Sequence, residues 1–130
     1  PWAVLDYAGG QLTTTPGPLS FTCDRARTMH FLALWFDAEL FDGIGFSNAP
    51  GRETPLVYNQ LLLPFSAPVA MAPGDRLDVD LRADFINRDY IFTWKVRLYP
   101  AGSAAPTVTL RQSNFEALPL ESVTKRAETY

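Results

Sequence analysis

From Arg76 to Leu98 apolar residues recur at every second position, with one interruption. Leu77, Val79, Leu81, Ala83 and Phe85 fall on one parity and Arg76, Asp78, Asp80, Arg82 and Asp84 on the other. After Asn87-Arg88 the pattern resumes, Tyr90, Phe92, Trp94, Val96 and Leu98 alternating with Ile91, Thr93, Lys95 and Arg97. A period of two is that of a strand with one buried face, so the segment is predicted to be a hairpin turning at Asn87-Arg88. Pairing would bring Lys95 and Arg97 onto the aspartates' outer face, for cross-strand pairs of ~0.2–1 kcal/mol each.

The remaining chain reads as further short strands between turn signals. Trp2–Tyr7 suits a short edge strand, ended by Gly9, Gly10, Pro16, Gly17 and Pro18. Leu19, Phe21 and Cys23 alternate with Ser20 and Thr22, and Asp24–Arg27 would be the following turn. Thr28–Asp37 is the longest apolar run, with Met29, Phe31, Ala33 and Trp35 on one face and His30, Leu32, Leu34 and Phe36 on the other. Apolar on both faces, it is predicted to be a central strand or one covered by a partner. Ile44–Ser47 is a short strand, Asn48–Pro55 a turn-rich loop and Leu56–Phe65 an apolar strand. Pro100–Pro106 is a loop, Thr107–Gln112 a last strand with Val108 and Leu110 inward, and Pro119–Glu128 a short C-terminal helix with Glu121 and Lys125 spaced i, i+4. About eight strands and one weak helix predict an all-β fold, a single antiparallel β-barrel or barrel-like sandwich. At 130 residues and 47% hydrophobic, the chain is long enough for one core, and a single domain over 1–130 is expected.

Charge and cysteine usage narrow the partners. A formal net charge of -3 provides no field that would gather nucleic acid or an anionic membrane. The lone cysteine, Cys23, allows no internal disulfide and no cysteine-based metal site within one chain, which fits a reducing cytoplasm. No run reaches the roughly 18 apolar residues of a membrane-spanning helix, and Pro1-Trp2-Ala3 has neither the basic region nor the apolar core of a signal peptide. With Pro1 in first place, the chain is expected to be a piece of a longer protein.

Several short motifs resemble catalytic ones without the context that the chemistry requires. His30, the single histidine, lies inside the longest apolar run and reads as a structural histidine. Gly45-Phe46-Ser47-Asn48-Ala49 has the look of a nucleophile elbow, but Pro50-Gly51 stops the helix that an elbow must enter. Gly43-Ile44-Gly45 lacks the third glycine of a dinucleotide loop. Asp75, Asp78, Asp80 and Asp84 are off the spacing of a calcium loop, and strand alternation accounts for them. Trp35 and Trp94 fall on predicted inward faces and read as core. No catalytic, cofactor or metal site is expected in this chain.

Long ordered loops on β scaffolds are where binding groups tend to sit, which directs attention to Gly43–Phe65. In order, the chain carries Trp35-Phe36-Asp37, Ser47-Asn48-Ala49-Pro50, Leu56-Val57-Tyr58-Asn59-Gln60, the apolar run Leu61–Pro64, and Pro73-Gly74-Asp75. This succession resembles the C-terminal β-barrel domain of the protein arginine methyltransferases over roughly residues 28 to 98. That family shows an aromatic-Phe-Asp strand end, a Ser-Thr-x-Pro stretch, a Thr-His-Trp loop followed by Lys-Gln, an apolar strand and a Gly-Asp turn. The order of these motifs carries the resemblance. It implies that Leu56, Val57, Tyr58, Asn59 and Gln60 help to wall a substrate cleft between the barrel and a catalytic domain. Leu56 stands where the family has Thr, Val57 where it has His and Tyr58 where it has Trp, while Gln60 is shared. The family's inserted helical dimerisation arm has no counterpart here.

The resemblance further implies that S-adenosylmethionine binds the parent enzyme rather than this chain. Its nucleotide-binding catalytic domain would precede Pro1, the substrate would be a protein or small molecule, and the β domain alone would be inactive. Two readings from other classes stand beside it. A freestanding β-sandwich binding a ligand such as a carbohydrate predicts exposed neighbouring aromatics. A structural or assembly domain predicts one large exposed apolar patch.

Overall fold

The computed structural model describes residues 1–6, 11–12, 18–51, 58–86 and 89–115. The predicted hairpin is its longest feature: β8 (Arg76–Ile86) pairs antiparallel with β9 (Asp89–Tyr99), from Arg76 opposite Tyr99 to Ile86 opposite Asp89. This register sets Leu77, Val79 and Leu81 across from Leu98, Val96 and Trp94, and all six are buried. Each such side chain contributes about 1.5–3 kcal/mol relative to exposure. The polar parity is exposed at Arg76 and Arg82 and half-buried at Asp78 and Arg97, and on it Arg76 pairs with Asp78, Arg82 with Asp84, and Arg97 with Asp80 at 2.7 Å. Arg97 lies opposite Asp78 and reaches Asp80 diagonally. Exposed pairs of this kind stabilise by tenths of a kcal/mol.

Two more strands complete this sheet in the order β10-β9-β8-β3. β3 (Leu19–Thr22) lies along Arg76–Val79, and β10 (Val108–Ser113) along Thr93–Leu98. At one end, Ala72-Pro73-Gly74-Asp75 turns the chain into β8. Pro73 pre-sets the first central position, Gly74 supplies φ 86°, and Asp75 N–H donates to Ala72 O at 3.1 Å, the signature of a type II turn. The buried Asp75 carboxylate then accepts from Ala72 N (2.8 Å) and Ala101 N (3.0 Å). Main-chain bonds from Cys23 N to Asp75 O and from Gly74 N to Cys23 O, both 2.8 Å, tie in the end of β3.

The chain divides into two compact units, Pro1–Met29 with Ser66–Tyr130, and His30–Phe65. The four-stranded sheet belongs to the first. Between its segments run β4 (Arg27–Leu34), β5 (Asp37–Phe41), β6 (Ile44–Ser47) and β7 (Leu61–Met71), with β4 paired to β7 and β5 antiparallel to β6. A two-residue pair, β1 (Leu5–Asp6) with β2 (Gln11–Leu12), lies within the predicted N-terminal edge segment and just after it. The all-β prediction is met: the described residues hold eight strands of four residues or more. These eight lie in three sheets, none closed into a barrel, so the barrel form of that expectation is corrected.

Three local expectations are also corrected. Thr28–Asp37 is not buried on both faces: β4 stops at Leu34, and Phe31, Trp35 and Phe36 are exposed, as is His30. β4 has β7 as its one strand partner among the described residues. Residues 38–41, unassigned from sequence, form β5, which turns into β6 through Asp42-Gly43 with Gly43 at φ 72°. The apolar strand expected from Leu56 begins at Leu61 and continues to Met71. It tolerates Pro64 and Pro68 because both lack an N–H on the edge where Ser66 donates its own to the Gln112 side chain rather than to a strand. Pro119–Glu128, the expected helix, lies outside the described residues.

Candidate functional site

Within the 30–65 unit, β5 and β6 pair Asp37 with Ser47 and Ala38 with Phe46, and the ladder's next step brings Phe36 opposite Asn48. Asn48 N–H donates to Phe36 O at 3.2 Å, but the return bond is made by the side chain, Asn48 Oδ1 accepting from Phe36 N at 2.7 Å. This substitution leaves the Asn48 main-chain carbonyl for the Gln60 amide, which donates to it. Asn48 Nδ2 donates to Asn59 O at 2.9 Å. A side chain only 5% exposed thus spends its acceptor on one segment and a donor on another, as buried amides must. Ser47 Oγ accepts from Ala49 N at 3.1 Å, the local turn bond common for serine.

An aromatic cluster stands beside this network. The Phe36 ring meets Phe46 edge-on (5.6 Å, 84°) and Tyr58 at 5.8 Å and 68°. Tyr58 remains 61% exposed and Trp35 51%, which corrects the reading of Trp35 as core. Trp94 is buried in the sheet as predicted, at 3%. Asp37, Glu39 and Asp42 are all exposed, and among the described residues of this unit there is no Lys or Arg. The surface is therefore aromatic and acidic.

Of the five residues singled out from sequence, Leu56 and Val57 lie outside the described residues. The other three are brought together around Asn48: Tyr58 by its ring on Phe36, Asn59 by its carbonyl and Gln60 by its amide. Gln60 is thus engaged in holding the loop, while Tyr58 and Asn59 are exposed. Sequence reasoning missed the role of Asn48; its place directly after an apolar strand and ahead of Pro50 was the available signal.

The first unit has a separate, open cleft of about 580 Å³ lined by Thr22, Gly74, Arg76, Tyr99 and Ser103 among others. The Arg76 guanidinium lies over the Tyr99 ring at 4.4 Å, and no acid–base pair lines the cleft. Among the described residues no three His, Cys, Asp or Glu side chains gather as a metal site. Asp78, Asp80 and Asp84 are matched to arginines, and Asp75 is the turn carboxylate. Among the described residues no helix is long and apolar enough to cross a membrane. No family model matches the chain, and neither a curated protein nor a solved structure does.

Proposed function

We propose that this chain is the substrate-side β domain of an S-adenosylmethionine-dependent methyltransferase resembling the protein arginine methyltransferases, inactive by itself. One observation carries the reading. Three of the motifs on which the resemblance rests, Trp35-Phe36-Asp37, Ser47-Asn48-Ala49-Pro50 and Tyr58-Asn59-Gln60, are joined through Asn48. Residues separated in sequence thus meet in one ordered assembly that presents Tyr58. Methyl transfer requires a nucleotide-type site and, for a guanidinium substrate, carboxylates that grip it. Both belong to a nucleotide-binding domain placed before Pro1. The contribution of this chain is a wall: Leu56, Val57 and the Tyr58 ring exclude water from the substrate's side, and the Tyr58 hydroxyl offers a hydrogen bond. Valine at position 57 moves no proton. The cytoplasm is the proposed setting, with Cys23 a buried free thiol whose Sγ donates to Arg25 O.

The deciding experiment begins with the intact mass of the natural protein. A chain exceeding 14.5 kDa by a further domain of about 150 residues or more, lying before Pro1, is expected. That protein should transfer labelled methyl groups from S-adenosylmethionine, and Tyr58→Ala should lower kcat/KM without changing cofactor affinity. A natural mass close to 14.5 kDa refutes the proposal.

The exposure of Trp35 and Tyr58 favours a second reading, a carbohydrate-binding module. Sugar platforms present flat aromatic faces, whereas the Phe36, Phe46 and Tyr58 rings pack edge to face. Titration with soluble oligosaccharides, followed by tryptophan fluorescence, separates the two: a saturable shift abolished by Trp35→Ala would favour the module.

A further inference from the structure

β5 and β6 form a ribbon of two strands, and among the described residues neither has a second strand neighbour. Such a ribbon is marginally stable on its own in water. This one also presents Leu40, Phe41 and Ile44 to solvent around its turn, Leu40 at 69% and Ile44 at 60% exposure. Its two edges differ in a way that the backbone makes explicit. The Asn48 N–H to Phe36 O bond puts the main-chain groups of that pair between the strands, and at a period of two those of Ala38 and Phe46 join them. The groups of Asp37 and Glu39 consequently point outward along β5, and those of Gly45 and Ser47 outward along β6. Two carboxylates guard the β5 edge. The β6 edge, Ile44-Gly45-Phe46-Ser47, has no charge, no proline and no lysine, and so lacks the usual protection of an exposed strand.

We propose that the β6 edge pairs antiparallel with β6 of a second copy of this chain about a two-fold axis. The two ribbons then become one continuous sheet. Parity fixes the register. Phe46 faces its own counterpart across the axis, and Gly45 of each copy lies opposite Ser47 of the other, their outward N–H and C=O groups exchanging a closely spaced pair of bonds. The Phe46 rings, already edge-on to Phe36, form a cross-strand aromatic pair at the centre. Charge selects this edge over the other. Pairing through β6 keeps the two β5 strands three spacings apart, about 14 Å, well beyond the screening length of about 8 Å at physiological salt. Pairing through β5 would bring Asp37 and Glu39 of both copies face to face.

Sedimentation velocity on the 130-residue chain tests this between about 5 and about 200 µM, a range in which a small interface shows mass action. A monomer–dimer equilibrium is expected. Ile44→Lys, a charge at an exposed edge position, should shift it to at least about tenfold higher concentration. Leu40→Lys, an equal loss of apolar surface on the other strand, should leave it in place. A wild-type chain monomeric throughout the range overturns the proposal, as does equal weakening by the two variants, which would signal general stickiness. Should Ile44→Lys fail to fold by circular dichroism, hydrogen exchange of the wild type decides. The Gly45 and Ser47 amides should exchange more slowly as concentration rises, and rates independent of concentration overturn the pairing.

Discussion

Replacing Asn48 by Ala isolates the junction on which the candidate site depends. The variant keeps the main-chain bond from residue 48 to Phe36 O and the Gln60 contact with its carbonyl, both of which use backbone atoms. It removes the 2.7 Å acceptor of Phe36 N–H and the 2.9 Å donor to Asn59 O. A typical hydrogen bond contributes about 0.5–1.5 kcal/mol, and a buried group left without a partner costs about 1–3 kcal/mol. Asn48 is buried but Phe36 and Asn59, whose groups lose their partner, are exposed, so water offsets part of the penalty and the loss should be about 1–3 kcal/mol. Native-state hydrogen exchange gives the sharpest assay, because it reports opening of this junction separately from unfolding of the four-stranded sheet. The Phe36 amide should exchange roughly 5- to 140-fold faster, at 1.4 kcal/mol per factor of ten, while amides of β8 and β9 hold their rates. A Phe36 amide that exchanges as in the wild type would refute the claim that Asn48 holds Phe36 and the Tyr58–Gln60 segment together.

The other expectations concern positions that the structure explains singly. Gly45→Ala should disrupt the β5–β6 ribbon, because a Cβ there would sit 2.3 Å from Ala38 O, and backbone must move; loss of the Phe46 and Tyr58 ring-current shifts in proton spectra would show it. Asp75→Ala should cost about 2–4 kcal/mol in urea unfolding, since it orphans Ala72 N–H and Ala101 N–H, each worth the loss of a charge-assisted bond. Trp94→Ala should cost about 3–5 kcal/mol as a large core truncation, whereas Trp35→Ala should cost under about 1 kcal/mol at its exposed position. Similar losses for the two tryptophans would contradict their assigned surroundings.

Legibility of the sequence followed the strength of each local signal. The β8–β9 hairpin could be read to its register, because apolar positions alternate with polar ones along both strands and a slip by one residue would expose the six that are buried, Leu77, Val79, Leu81, Trp94, Val96 and Leu98. Ile44–Ser47 was legible from its bounding turn residues. β5 was missed although Asp42-Gly43 between apolar flanks is a strong hairpin signal, because attention to Trp35-Phe36-Asp37 made Asp37 the end of a strand rather than the start of one. The expected strand ends at Phe65 whereas β7 continues to Met71 through Pro68, a residue that argues against a central strand; along an edge where Gln112 replaces a strand partner, that argument lapses. The position of Asn48 after an apolar strand and ahead of Pro50 marks it as a turn residue, but not its partners, which are main-chain groups of Phe36 and Asn59 and leave no trace in residue type.

The deepest mismatch is in burial, and it separates the two units. Along most of β8 and β9 the apolar parity is the buried parity: Leu77, Val79, Leu81, Trp94, Val96 and Leu98 are all enclosed. From β4 through β5 the apolar residues outnumber what the unit encloses: Phe31, Trp35, Phe36, Leu40 and Phe41 stay exposed. Periodicity reports which residues avoid water, and it is silent on which body covers them. A run apolar on both faces therefore has two physical meanings, a strand interior to its own sheet or a strand whose second cover is another surface. With Phe31, Trp35 and Phe36 exposed, the first meaning does not apply to 28–37. That exposure is also why the proposed functions of this segment, a wall beside a nucleotide-binding domain and an edge for a second copy, are both tested by what adds to the chain rather than by what lies inside it.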